Sequence, residues 1–137
     1  HLGTYGVIAL FLLLGFKVAA LGENFTPYFL ILAPMAGRVA ALIIGGFFQP
    51  LEREKNGLGE EFIGRVPRWW VWFWVSVIII LPLIWEERFY FFKAIVVFVI
   101  GWLFGKILSK GFQGLSGDAV GATIELVETL FLYLGRI

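Results

Sequence analysis

The chain contains no cysteine, a single histidine and a single methionine among its 137 residues, and only 15% of its residues are charged. Without cysteine it can form neither a disulfide nor a thiolate metal site, although this does not fix its compartment. The one histidine, His1, has no second histidine or cysteine with which to hold a transition metal. A formal net charge of +1 provides no field for a polyanion, which argues against a nucleic-acid partner. The charged fraction falls well short of the quarter or so typical of soluble domains. In its place stand 60% hydrophobic residues, 18% aromatics and a mean hydropathy of +0.89, the composition of an integral membrane protein. The length is one domain, residues 1–137, and the apolar runs give room for about five spanning helices of ~20 residues each. The expected fold is therefore all-α: a polytopic bundle of about five transmembrane helices.

The first apolar run, Tyr5 to Leu21, holds one charge, Lys17, expected to extend its ammonium to the interface. The turn residues Gly22 to Pro27 lead into a second run, Tyr28 to Phe48, with Pro34, Gly37 and Arg38 near its middle. Uncharged residues flank Arg38 on both sides. It is expected to face the bundle interior, paired with an acid or a bound anion. Residues 49–68 form the one long hydrophilic loop. There Arg53, Lys55, Arg65 and Arg68 balance Glu52, Glu54, Glu60 and Glu61 around Gly57-Leu58-Gly59. A third run, Trp69 to Trp85, is bracketed by tryptophans in the manner of interfacial anchors. A fourth runs from Phe89 to Ser109, and a fifth from Ala119 to Leu134. If the five alternate, one side collects Arg53, Lys55, Arg65, Arg68, Lys106 and Lys110, the other Lys17, Arg88, Lys93 and Arg136. The excess of positive charge places the first side, which includes Asp118, in the cytoplasm.

The fifth run organises the rest. At ~100° per residue, Asp118, Glu125 and Glu128 fall within about a quarter of the helix circumference, with Gly121 and Ala122 beside them. Ionised groups at bilayer depth require a cation, a metal or water, so the stripe is a candidate functional site. Carboxylates are the ligand type hard cations prefer, and a helix N-terminus after Ser116-Gly117-Asp118 suits an anionic group. Arg38 could clamp a phosphate with its planar fork. The plainer alternative has Asp118 capping the helix while Glu125 and Glu128 pair with Arg38 or a lysine. A small-molecule transporter would need polar residues in mid-span on several helices, which the first, third and fourth runs lack. A structural membrane subunit would leave the acids and Arg38 without a purpose.

The pattern Gly117-Asp118-x-x-Gly121-Ala122-x-x-Glu125-x-x-Glu128 resembles the C-terminal signature of the cobalamin synthase (adenosylcobinamide-GDP ribazoletransferase) family. Leu2-Gly3-Thr4-Tyr5-Gly6-Val7, Gly37-Arg38 and Gly57-Leu58-Gly59-x-x-Phe62 resemble other segments of that family, in the same order. Ser116 stands where the family more often has threonine. The resemblance implies that the chain corresponds to the C-terminal half of such an enzyme, in a bacterial or archaeal cytoplasmic membrane. It implies Mg²⁺ as cofactor, with adenosylcobinamide-GDP and α-ribazole or α-ribazole 5′-phosphate as substrates. Asp118 and Glu125 become metal or base candidates and Glu128 their catalytic support. Arg38, Gly57, Gly59, Ser116 and Gly117 become substrate-binding candidates. Another membrane phosphotransferase acting on a nucleoside-diphosphate conjugate is the alternative enzyme. Assembly into a homo-oligomer is left open.

Overall fold

The computed structural model describes residues 3–22, 26–50, 61–85, 89–112, 114 and 116–136. Among these, five α-helices carry the chain: α1 Thr4–Ala20, α2 Phe29–Phe47, α3 Arg68–Ile80, α4 Tyr90–Phe112 and α5 Gly117–Leu134. Four of the five follow the apolar runs to within a few residues at each end. The exception is the third. Its α-helical part stops at Ile80 and the remainder, Leu81–Trp85, winds as a 3-10 helix. Pro82 is the physical reason, because it has no N–H to donate to the fourth preceding carbonyl and its ring crowds that carbonyl.

Two helical stretches, Phe29–Phe47 and Tyr90–Lys110, are long and apolar enough to cross a membrane by length and composition. The first and third runs give shorter apolar helices, and α5 carries its three acids within 18 residues. Among the described residues, two of the five helices thus meet the length and hydropathy expected of a span.

The bundle is built around α2 and α5, which pack against each other more extensively than any other pair. Small residues make this possible: Ala33, Ala36, Gly37 and Ala40 recur at helical spacing on the buried face of α2 and bring the two backbones close. α4 and α1 pack on α5, and α3 leans on α2. One end of the core is aromatic, with Phe29, Tyr90 and Phe131 fully buried. The other gathers Ile44, Phe48, Ile63 and Val120. At the aromatic end the chain is tied by polar contacts. Thr26 N–H donates to the Gly135 carbonyl at 2.8 Å, and Arg136 Nη1 donates to the Ala19 carbonyl at 3.0 Å. The second contact sets a cation at the C-terminus of α1, where the helix dipole favours it.

Candidate functional site

α5 begins with a true cap. Ser116 Oγ accepts the Ala119 N–H at 3.2 Å, which satisfies one of the free donors of the first turn. Capping therefore belongs to Ser116 and not to Asp118. Asp118 lies in that first turn, exposed, where the positive end of the helix dipole favours a carboxylate. Beside it, a side chain built on Gly121 would find nothing within 4 Å. The small residue leaves open space on the acidic face and takes no part in helix packing.

Two and three turns further along, Glu125 and Glu128 meet a lysine, Lys17, as the plainer alternative had it. Lys17 Nζ of α1 donates to Glu125 Oε2 at 2.5 Å and to Glu128 Oε2 at 3.1 Å. The expectation that Lys17 extends to the interface is corrected. Its side chain is only 21% exposed, because it bridges two carboxylates of α5 through charge-assisted hydrogen bonds.

Glu128 has a second neighbour, Arg38 Nη1, 3.8 Å from its Oε1. Arg38 was expected to point inward and to pair with an acid or a bound anion; the acid is there, but the inward direction is corrected. Its side chain is 71% exposed on the open side of α2, and only the edge of the guanidinium approaches the acid. The reason is positional: the interior face of α2 at this level belongs to Gly37. A Cβ there would come within 2.6 Å of Glu128 Cγ and 2.8 Å of its Oε1. Gly37 is the notch into which Glu128 fits, and Arg38 follows on the notch's rim. The outer side of Arg38 opens on a groove of about 560 Å³ between α2 and α3, lined otherwise by apolar side chains including Leu30, Pro34, Met35, Leu42 and Trp74.

The structure thus joins Glu125, Glu128, Lys17, Gly37 and Arg38 at one level, and sets Ser116, Gly117 and Asp118 apart at the end of α5. Ten residues of helix separate Asp118 from Glu128, about 15 Å along the axis. Gly57, Gly59 and Arg53 lie outside the described residues. Sequence reasoning did not single out Lys17 as the lysine and missed Gly37 as a notch. The signal for the first was present, since Lys17 is the one charge in its apolar run.

Mg²⁺ requires near-octahedral oxygen ligation, usually one or two carboxylates with water and phosphate. Among the described residues no three histidine, cysteine, aspartate or glutamate side chains gather into such a shell. A divalent ion between Glu125 and Glu128 would have to displace the Lys17 ammonium. Of the three acids of α5, Asp118 is the one with no ion-pair partner among the described residues. The described residues do not by themselves constitute a metal site.

Comparison with known proteins decides the family. The family model described as cobalamin-5-phosphate synthase (CobS) matches residues 1–135. The chain belongs to the cobalamin-5-phosphate synthase family. An adenosylcobinamide-GDP ribazoletransferase from Acinetobacter baumannii (strain ACICU) is 33% identical over 135 residues, covering 96% of this chain and 53% of that protein. One from Citrobacter koseri is 32% identical over 138 residues, covering 96% and 55%. One from Syntrophobacter fumaroxidans is 27% identical over 135 residues, covering 95% and 53%. The chain spans about half the length of these curated relatives. No solved structure matches. In this member of the cobalamin-5-phosphate synthase family, the Gly37-Arg38 pair meets Glu128 of the Glu125-x-x-Glu128 pattern, although some ninety residues separate them.

Proposed function

We propose that this chain corresponds to the C-terminal half of an adenosylcobinamide-GDP ribazoletransferase, a membrane enzyme of cobalamin biosynthesis. In this reading all five helices cross a bacterial or archaeal cytoplasmic membrane. α3 with its 3-10 extension reaches about 30 Å, the thickness of the hydrocarbon core. The end bearing Ser116, Gly117 and Asp118 faces the cytoplasm. With Lys17 committed to two acids, the opposing side loses a basic residue from its loop count, and the positive excess favouring this orientation grows.

The observation that carries the reading is the meeting of Gly37, Arg38 and Glu128 across the α2 to α5 interface. It turns two motifs of the resemblance into one anion-facing arginine held beside an acid. In the reaction, a ribose hydroxyl of α-ribazole, or of its 5′-phosphate, attacks the cobinamide-bearing phosphorus of adenosylcobinamide-GDP. A new phosphorus–oxygen bond forms as the bond to GMP breaks, and any hydroxyl proton leaves to a base. Such a step needs cationic groups to offset oxyanion charge. Arg38 meets a phosphate with its exposed donors. Asp118, in the first turn of α5 at the positive end of its dipole, serves the cytoplasmic end as base or as ligand to Mg²⁺. About 15 Å between the two points suits an extended nucleoside-diphosphate conjugate, not a single phosphate. Mg²⁺, when bound, supplies charge neutralisation to the pyrophosphate.

The test is GMP release by the full-length protein in detergent or liposomes, with adenosylcobinamide-GDP and α-ribazole, Mg²⁺ present or chelated. Release that needs both substrates and stops with chelation supports the reading. Absence of release, with passage of an unchanged solute across the vesicle membrane, would replace it with a transporter.

A further inference from the structure

Lys17 belongs to none of the motifs that carry the family resemblance, yet it holds the centre of the charge cluster. α1 packs chiefly on α5 and presents Phe11, Leu12, Phe16 and Val18 outward, so its one charge is turned into the bundle. There the four charges balance, two cations against two carboxylates, and their distances are unequal. Lys17 donates true hydrogen bonds to one oxygen of each acid, at 2.5 and 3.1 Å. Arg38 approaches the other oxygen of Glu128 only to 3.8 Å, beyond hydrogen-bond range. Arg38 is therefore tethered by charge while its N–H donors stay free and 71% of its side chain stays exposed.

We propose that Lys17 is a positioning residue that keeps Arg38 available to an anionic ligand by occupying Glu128. The argument is one of competition. An arginine beside a carboxylate closes readily into a bidentate pair, with two parallel N–H to oxygen bonds. Glu128 is only 15% exposed and sits in the Gly37 notch, so water compensates it poorly. Without the Lys17 ammonium, its carboxylate turns to Arg38, the remaining cation paired with it among the described residues. Arg38 then folds back over Glu128 and its fork is lost to a phosphate. Lys17 thus acts through Glu128 on Arg38 and touches no substrate itself. The ligand class is a nucleoside diphosphate or its conjugate. This identification rests on the transferase reading above, whereas the competition among the three side chains does not.

The experiment measures GDP affinity by titration calorimetry on the full-length protein in detergent, independently of turnover. Lys17→Met is expected to weaken GDP binding about 10- to 100-fold, the equivalent of one charge-assisted hydrogen-bonded contact. Lys17→Met combined with Glu128→Gln is expected to recover most of that loss, because the competing carboxylate has gone. A merely structural lysine would give no such recovery, since the double variant removes still more of the contact. Glu128→Gln alone is expected to bind GDP at least as well as the wild type, and it serves should Lys17→Met fail to fold. Equal affinity in the wild type and Lys17→Met, a double variant no better than the single, or weakened binding in Glu128→Gln overturns the proposal. A protein that binds GDP in this pattern but releases no GMP from the two substrates would refute the transferase reading and leave the role of Lys17 standing.

Discussion

Glu128 is held by the absence of a side chain as much as by the presence of two. The Gly37 notch admits its methylene and one oxygen, Lys17 bonds the other oxygen, and Arg38 stands off on the rim. A methyl group at position 37 would overlap Glu128 Cγ, an atom near the root of the side chain that cannot swing clear without moving the carboxylate. Gly37→Ala is accordingly expected to destabilise the bundle by about 1–3 kcal/mol, readable as a lowered thermal midpoint in detergent. An unchanged midpoint would mean that Glu128 does not occupy the notch. At this scale the sequence was informative about needs and about the kind of partner, Arg38 or a lysine, but not about which lysine. Acids in an apolar helix demand a cation, and that demand was legible from Glu125 and Glu128 alone. Which cation answers depends on how α1 lies on α5, and no spacing in the sequence encodes the angle between helices. Arg38 carried the same ambiguity, since an arginine in mid-helix satisfies the same sequence pattern whether it points inward or along the rim.

At the scale of elements, α5 owes its place to neighbours that make room for it. α2 does so with Ala33, Ala36, Gly37 and Ala40, and α4 with Gly101, whose missing Cβ would lie 2.8 Å from Val127 Cγ2. Val127 is fully buried one residue before Glu128, so whatever pushes on it shifts the acid. Gly101→Leu is expected to cost on the order of 2–3 kcal/mol through overpacking and to lower GDP affinity along with stability. Loss of neither would show that α4 does not close against this stretch of α5. The elements themselves were readable in advance, because long apolar runs punctuated by Gly22, Pro27 and the charged loop allow little else than helices. The third run was misjudged in one respect. Pro82 was visible, but whether a proline kinks a helix or tightens its last turn is settled by packing, and Pro82 is buried here. Pro34, by contrast, is accommodated within an unbroken α2.

For the whole molecule, the orientation can be read with unusual cleanness because the chain has no cysteine of its own. Gln49→Cys, just past α2, is expected to react with a membrane-impermeant maleimide only in inverted vesicles, and Pro27→Cys, just before α2, only in right-side-out ones. Both residues are exposed. The reverse pattern would put the N-terminus of α5 outside the cytoplasm and remove its access to a soluble nucleotide. Orientation then bears on chemistry, since it decides which compartment Asp118 meets. The most direct measurement is the rate of GMP release by Asp118→Asn in the full-length protein, taken beside its thermal unfolding. The account predicts a fall of about 100-fold or more with the midpoint preserved, as befits an exposed acid with no ion-pair partner among the described residues. A wild-type rate in a folded Asp118→Asn protein would contradict it.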